Sequence, residues 1–77
     1  MKVEIISPDK LIFEGETISL QLPGKDGSFG VLNDHAPIIS SLAEGSVKLN
    51  TDQGEKSFEI NGGVVEVLKN KVIVLAD

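Results

Sequence analysis

One histidine and three glycines at a spacing of three share a single stretch, Gly24-Lys25-Asp26-Gly27-Ser28-Phe29-Gly30-Val31-Leu32-Asn33-Asp34-His35-Ala36-Pro37. A glycine run can cradle a phosphate when it opens a helix. A Walker loop needs Gly-Lys-Ser/Thr at that point, and a dinucleotide fingerprint needs Gly-x-Gly-x-x-Gly between strand and helix. Here Asp26 follows Gly24-Lys25 and no helical period follows Gly30. The glycines therefore read as turn residues, at points where the backbone visits φ > 0 or approaches another surface closely. His35 is the only side chain whose ordinary pKa lies near neutrality. Asp34 is adjacent, but neighbours in an extended chain point opposite ways, which argues against a dyad. No serine nucleophile can be assigned, cysteine is absent, and one histidine with scattered carboxylates is too few ligands for zinc. The residues point to no catalytic group, no metal and no cofactor. His35 reads as structural, its imidazole bonding backbone in the loop or touching a partner.

The elements that position this stretch are strands. Lys2 to Ile6 alternates apolar Val3 and Ile5 with Lys2 and Glu4, the pattern of a half-buried strand. Ser7-Pro8-Asp9-Lys10 is a turn, with Pro8 preset for its first central position. Leu11-Ile12-Phe13 forms a short strand ending at Gly15. From Glu16 to Leu22, Ile18, Leu20 and Leu22 are expected to face inward and Thr17, Ser19 and Gln21 outward. Pro23-Gly24 is expected to open a long shaped loop that holds one short strand, Phe29 to Leu32. Ile38 to Ala43 reads as either a short strand or a kinked connection. Val47 and Leu49 alternate with polar residues, Asp52-Gln53-Gly54 turns the chain, and Phe58 and Ile60 return inward. Gly62-Gly63 breaks the run before Val64–Leu68, which pairs through Lys69-Asn70 with Lys71–Leu75; Asn70 tolerates the φ > 0 that so tight a turn requires.

Turn signals recur every 8 to 12 residues without a helical stripe, which predicts an all-β fold: a small two-layer β-sandwich or flattened barrel, with residues 1–77 as one unit. At 77 residues without cysteine, stability must come from a tightly packed sheet or from docking onto a partner. Seven lysines, no arginine and 12 acidic residues give a net charge of −5. Such a chain lacks the counter-charge and stacking surface for nucleic acid, and anionic lipid would repel it. No apolar run approaches the roughly 20 residues of a membrane-spanning helix, and the N-terminal residues are too short and charged for a signal peptide.

Val72-Ile73-Val74-Leu75-Ala76 departs from alternation, being apolar on both faces, and Val64-Val65 and Val67-Leu68 extend this. A sandwich layer has one dry face. The second face is therefore either covered by a loop or meets another protein. Lys69 at a hairpin tip raises another reading, since biotinyl and lipoyl carrier domains are small acidic β-sandwiches presenting one modified lysine. Leu68-Lys69-Asn70-Lys71 lacks the methionine or Asp/Ala flanks of those lysines, and the turn lies near the C-terminus instead of mid-chain.

Gly27-x-x-Gly30-Val31-Leu32-x-x-His35-Ala36-Pro37 resembles the signature of the epsilon subunit of F-type ATP synthases. Gly62-Gly63-Val64-Val65-Glu66-Val67 and Val72-x-Val74-Leu75-Ala76-Asp77 are similar to the end of that family's N-terminal β-sandwich. Together the motifs span the chain in order. The resemblance implies a non-catalytic rotor subunit at the foot of the central stalk, on the cytoplasmic face of a bacterial inner membrane. It implies contacts with the gamma subunit and with polar loops of the c-ring, without lipid insertion. By the same resemblance Asp26, Gly27, Ser28, Phe29 and Gly30 form the ring-facing loop, and His35, Ala36, Pro37, Ile38 and Ile39 lie toward gamma. Relatives often carry glutamate at the Ser28 position, leaving Asp26 as the carboxylate there, and many carry proline where Asn33 stands, which implies a looser loop entry. Longer relatives continue past the Leu75-Ala76-Asp77 motif into two helices that restrain hydrolysis or bind ATP. A chain stopping at Asp77 is expected to couple without sensing nucleotide, whether naturally short or shortened.

Overall fold

The computed structural model describes residues 1–77 and contains nine strands and no helix. They are β1 (Lys2–Ile6), β2 (Leu11–Glu16), β3 (Ser19–Gly24), β4 (Gly27–Leu32), β5 (Ile38–Leu42), β6 (Gly45–Thr51), β7 (Gly54–Ile60), β8 (Gly63–Leu68) and β9 (Lys71–Ala76). The ladder runs β2-β1-β9-β8-β5-β3-β6-β7, with β4 paired to β3. Its weak point is the β5–β3 step, a single pair, Gly24↔Leu42. One edge of β3 pairs with β6 over Ser19–Gln21 and passes to β5 only at Gly24, so the sheet folds over at that corner. The result is a two-layer β-sandwich, β2-β1-β9-β8-β5 against β4-β3-β6-β7. Where the far edges meet, the Phe13 and Phe58 rings lie 5.2 Å apart at a 40° tilt and Lys56 Nζ sits 5.6 Å from the Phe13 centroid, which flattens the sandwich toward a barrel.

The alternation read from the sequence explains the core. Val3, Ile5, Leu42, Val65, Val67, Val72 and Val74 from one layer meet Leu20, Leu22, Val31, Val47, Leu49 and Ile60 from the other, all buried. Each such side chain contributes about 1.5–3 kcal/mol of transfer free energy. The β1–β9 pair is parallel and brings the first and last strands side by side, Val3 against Val72 and Ile5 against Val74.

Two expectations are corrected, and the alternative left open at Ile38–Ala43 is decided. Thr17 is buried and Ile18 exposed, the reverse of the predicted facing. Strand alternation starts only at Ser19; before it, the Thr17 N–H bonds the Met1 carbonyl and the Ile18 N–H the Asn50 carbonyl, while Thr17 Oγ1 donates to the Ser19 and Asn50 carbonyls. Those bonds satisfy the threonine hydroxyl in the interior and turn Ile18 out. Ile38–Leu42 is a strand, antiparallel to β8.

The long glycine loop is the second correction. It is a tight hairpin: β3 and β4 pair from Ser19↔Leu32 to Gly24↔Gly27, and Lys25-Asp26 alone make the turn. Gly27, at φ +127°, completes the reversal. Pro23-Gly24 lies in β3 and not at a turn. A Cβ on Gly24 would stand 2.6 Å from the Gly27 carbonyl oxygen and 2.9 Å from the Phe29 ring, whereas on Gly30 it would meet nothing nearer than the Leu20 carbonyl at 3.8 Å. The Gly24→Ala change is expected to cost about 1–3 kcal/mol by overpacking. Gly30→Ala should stay within about 0.5 kcal/mol of the parent. Urea midpoints of the two variants check this ranking.

Candidate docking site

The two expected partner segments lie at opposite ends of the sandwich. Lys25-Asp26 is the β3–β4 tip, beside the ends of β5 and β8: the Lys25 N–H bonds the Ser41 carbonyl at 3.2 Å and Gly63 pairs with Leu42. His35-Ala36-Pro37 lies beyond the far end of β4, beside the Lys69-Asn70 turn and Met1. A six-residue strand, about 20 Å, separates them.

At the hairpin tip, Asp26, Gly27 and Ser28 are exposed, and Gln21 Nε2 donates to Ser28 Oγ at 3.0 Å. Phe29 is turned the other way and packs partly buried against the core under Gly24. It supports the hairpin from beneath, and Gly30 is exposed on the outer surface of β4.

At the other end, the His35 N–H bonds the Leu32 carbonyl at 3.2 Å, closing a turn through Asp34 at φ +63°. His35 Nδ1 donates to the Ala36 carbonyl at 2.7 Å, so the imidazole is engaged with loop backbone. Asn33 does not leave the loop entry loose. Its Oδ1 accepts from the Met1 nitrogen at 3.0 Å, and the Asp34 N–H donates to Asn70 Oδ1 at 2.8 Å. Neither asparagine contact has a local signal in the sequence, because each joins segments more than 30 residues apart.

The doubly apolar strands have a bare outer face. The registers Ile39↔Glu66↔Ile73 and Val64↔Leu75 place these residues on the outside of the β9-β8-β5 layer. Ile39 is 74% exposed, Leu75 52%, Leu68 48% and Val64 39%. Ile73 and Ile6 extend the patch half-buried, and the pair Lys71 Nζ–Glu4 Oε1 at 3.8 Å borders it. No loop of the chain lies over it. Between Pro37-Ile38-Ile39 and Glu66-Val67-Leu68 the face deepens into a cleft of about 390 Å³, so Pro37, Ile38 and Ile39 of the expected gamma-side segment adjoin this surface. The sequence showed these strands as two-faced; which residues form the outer patch follows from the register.

Fold and site define a small β-sandwich with an uncovered apolar face, a tight hairpin tip at one end and a shaped loop at the other. Residues 1–77 match the β-sandwich domain of the delta/epsilon chain of ATP synthase, and the chain belongs to that family. Among named relatives, the ATP synthase epsilon chain of Chlorobium limicola is 44% identical over 77 residues, covering 99% of this chain and 88% of the relative. That of Sulfurimonas denitrificans is 44% identical over 78 residues, and this chain spans 60% of its length. That of Leptospira interrogans serovar Lai is 38% identical, with 61% of its length spanned. In solved structures the same fold occurs in the Euglena gracilis mitochondrial ATP synthase, OSCP/F1/c-ring (TM-score 0.88, 22% identity, 96% of this chain and 48% of that one). It occurs again in the Tetrahymena thermophila mitochondrial ATP synthase central stalk/c-ring (TM-score 0.80, 17% identity, 97% and 61%).

Proposed function

We propose that this chain is a non-catalytic adaptor in the central stalk of an F-type ATP synthase, seated on the gamma subunit and touching the polar loops of the c-ring, so that ion flow through the ring is coupled to ATP synthesis. The observation that carries the reading is the uncovered apolar face of β5, β8 and β9, continuous with Pro37–Ile39. Ile39, Val64, Leu68 and Leu75 exposed on one face, with Glu66 among them, mark a surface suited to a partner. In this reading gamma occupies that face, with His35, Ala36, Pro37, Ile38 and Ile39 as its rim. The c-ring meets the opposite end, where Asp26, Gly27 and Ser28 form the exposed tip, Gly30 flanks it, and Phe29 braces it from inside. A ring contact through Asp26 is a rim interaction of about 0–1 kcal/mol, weakened by salt. The chain works without a cofactor of its own, as one folded unit on the cytoplasmic side of a bacterial membrane. Family membership leaves nothing to favour a carrier role for Lys69.

The test is thermal melting with and without gamma. At a hundredfold excess over Kd, binding adds about 2.7 kcal/mol. For a chain of this size that raises the Tm by about 10–20 °C. An unchanged melting temperature at saturating gamma would contradict the proposal.

A further inference from the structure

The segment Asn33–Pro37 belongs to no strand, yet it sets the angle at which Ile38 and Ile39 enter β5. Two of its hydrogen bonds, His35 N–H to Leu32 and His35 Nδ1 to Ala36, are local and fix nothing against the body of the sandwich. Only two ties reach outward: Asn33 Oδ1 to Met1, and the Asp34 N–H to Asn70 Oδ1. The Asp34 N–H has no ladder partner, because β4 ends at Leu32 and β5 begins at Ile38. Asn70 supplies one from 36 residues away.

Asn70 can do so because of its own turn. Lys69 and Asn70 stand at φ +50° and +63°, the left-handed pair that closes a two-residue hairpin between β8 and β9. Glycine or asparagine suits that conformation; asparagine also brings a carbonyl. Its backbone oxygen accepts the Lys2 N–H at 3.1 Å, so the residue joins the start of β1, the β4–β5 turn and the β8–β9 turn. The cleft described above has Pro37–Ile39 on one rim and Glu66–Leu68 on the other. Asp34 stands just before the first rim and Asn70 just after the second. The rims themselves are ladder partners, Ile38↔Val67 and Ile39↔Glu66, so the Asp34–Asn70 bond adds one thing: it holds the loop before Pro37 against the β8–β9 turn at this end of the cleft.

We infer that Asn70 is a positioning residue: its side-chain carbonyl holds the Asn33–Pro37 loop against the β8–β9 turn and so pre-forms the Pro37 end of the seat for gamma, a role that rests on the function proposed above. Pre-forming a site lowers the ordering cost of binding without adding a contact.

Three forms of the 77-residue chain separate this role from simple hairpin stability. Asn70→Gly keeps the left-handed turn and removes the acceptor. Asn70→Asp keeps both. Amide exchange at Asp34 reads the tie, and calorimetry reads affinity for gamma. In Asn70→Gly, Asp34 exchange should rise about tenfold while β8 and β9 amides stay protected. Its Kd for gamma should weaken about tenfold, and Asn70→Asp should return to within about threefold of the parent. Parental affinity in Asn70→Gly, an Asp34 amide as slow as in the parent, or an Asn70→Asp variant as weak as Asn70→Gly would overturn the inference alone. A parent chain that gives no binding heat with gamma would overturn the proposed function and this role with it.

Discussion

Alanine in place of Gly63 should unfold the sandwich near physiological temperature. Gly63 stands at φ +141°, a backbone conformation that L side chains rarely adopt, and opens β8 between two partners, Leu42 of β5 and Ala76 of β9. A Cβ there would run into the Leu75 carbonyl oxygen and stand 3.0 Å from Ala76 Cα. These are backbone atoms of the neighbouring strand, so no side chain can swing aside. Strain at such a backbone position costs about 1–3 kcal/mol. Overpacking adds about 1–3 kcal/mol more. The whole stability of a chain this size is only about 4–11 kcal/mol. A melting temperature lower by about 15 °C or more is expected. A Gly63→Ala variant melting within a few degrees of the parent would show that β8 and β9 part easily here.

Glutamates at Ile39 and Leu68 should leave the fold intact and abolish gamma binding. Both side chains are exposed and make no core contact, so the melting temperature of the double variant should move little. In the proposed complex the same positions lie at the mouth of the cleft, where two carboxylates would be taken out of water beside Glu66, with Lys71 across from Leu68 as the one neighbouring cation of this face. The affinity for gamma is expected to fall at least a hundredfold, or about 2.7 kcal/mol. Calorimetry on the double variant checks it. Parental affinity in a folded Ile39→Glu/Leu68→Glu protein would remove this face from the interface.

How legible the fold was depends on what fixes each element. Where one face is dry, alternation reports it, and Val3/Ile5, Leu20/Leu22 and Val47/Leu49 are buried as read. Alternation says which way a side chain points and nothing about which strand lies beside it, so the parallel β1–β9 pair had no signal. The glycine stretch looked like a long loop because glycine density marks turns. Only Gly27 serves a turn there; Gly24 answers to packing over Phe29, and Gly30 to neither demand. Ile18 and Thr17 were reversed because two backbone bonds and a threonine hydroxyl outweighed one apolar side chain. At the candidate site, the two-faced strands announced a second apolar surface, but coverage by a loop and exposure to a partner look alike in one dimension. The left-handed turn at Asn70 was legible, but the asparagine ties were not, since each depends on a contact between segments more than 30 residues apart.

The chain has no cysteine, so a single introduced thiol reports on one position at a time. Variants Ile39→Cys, Leu68→Cys and Leu75→Cys place it on the outer face of β5, β8 and β9. Gln21→Cys and Lys48→Cys place it on the exposed surface of the opposite layer. Maleimide labelling rates are then measured with and without saturating gamma. Labelling should slow at least about tenfold at the first three positions, where a packed interface excludes water and reagent, and stay unchanged at the last two. Unaltered labelling at Ile39, Leu68 and Leu75, or protection at Gln21 and Lys48 in their place, would contradict the assignment of the apolar face to gamma.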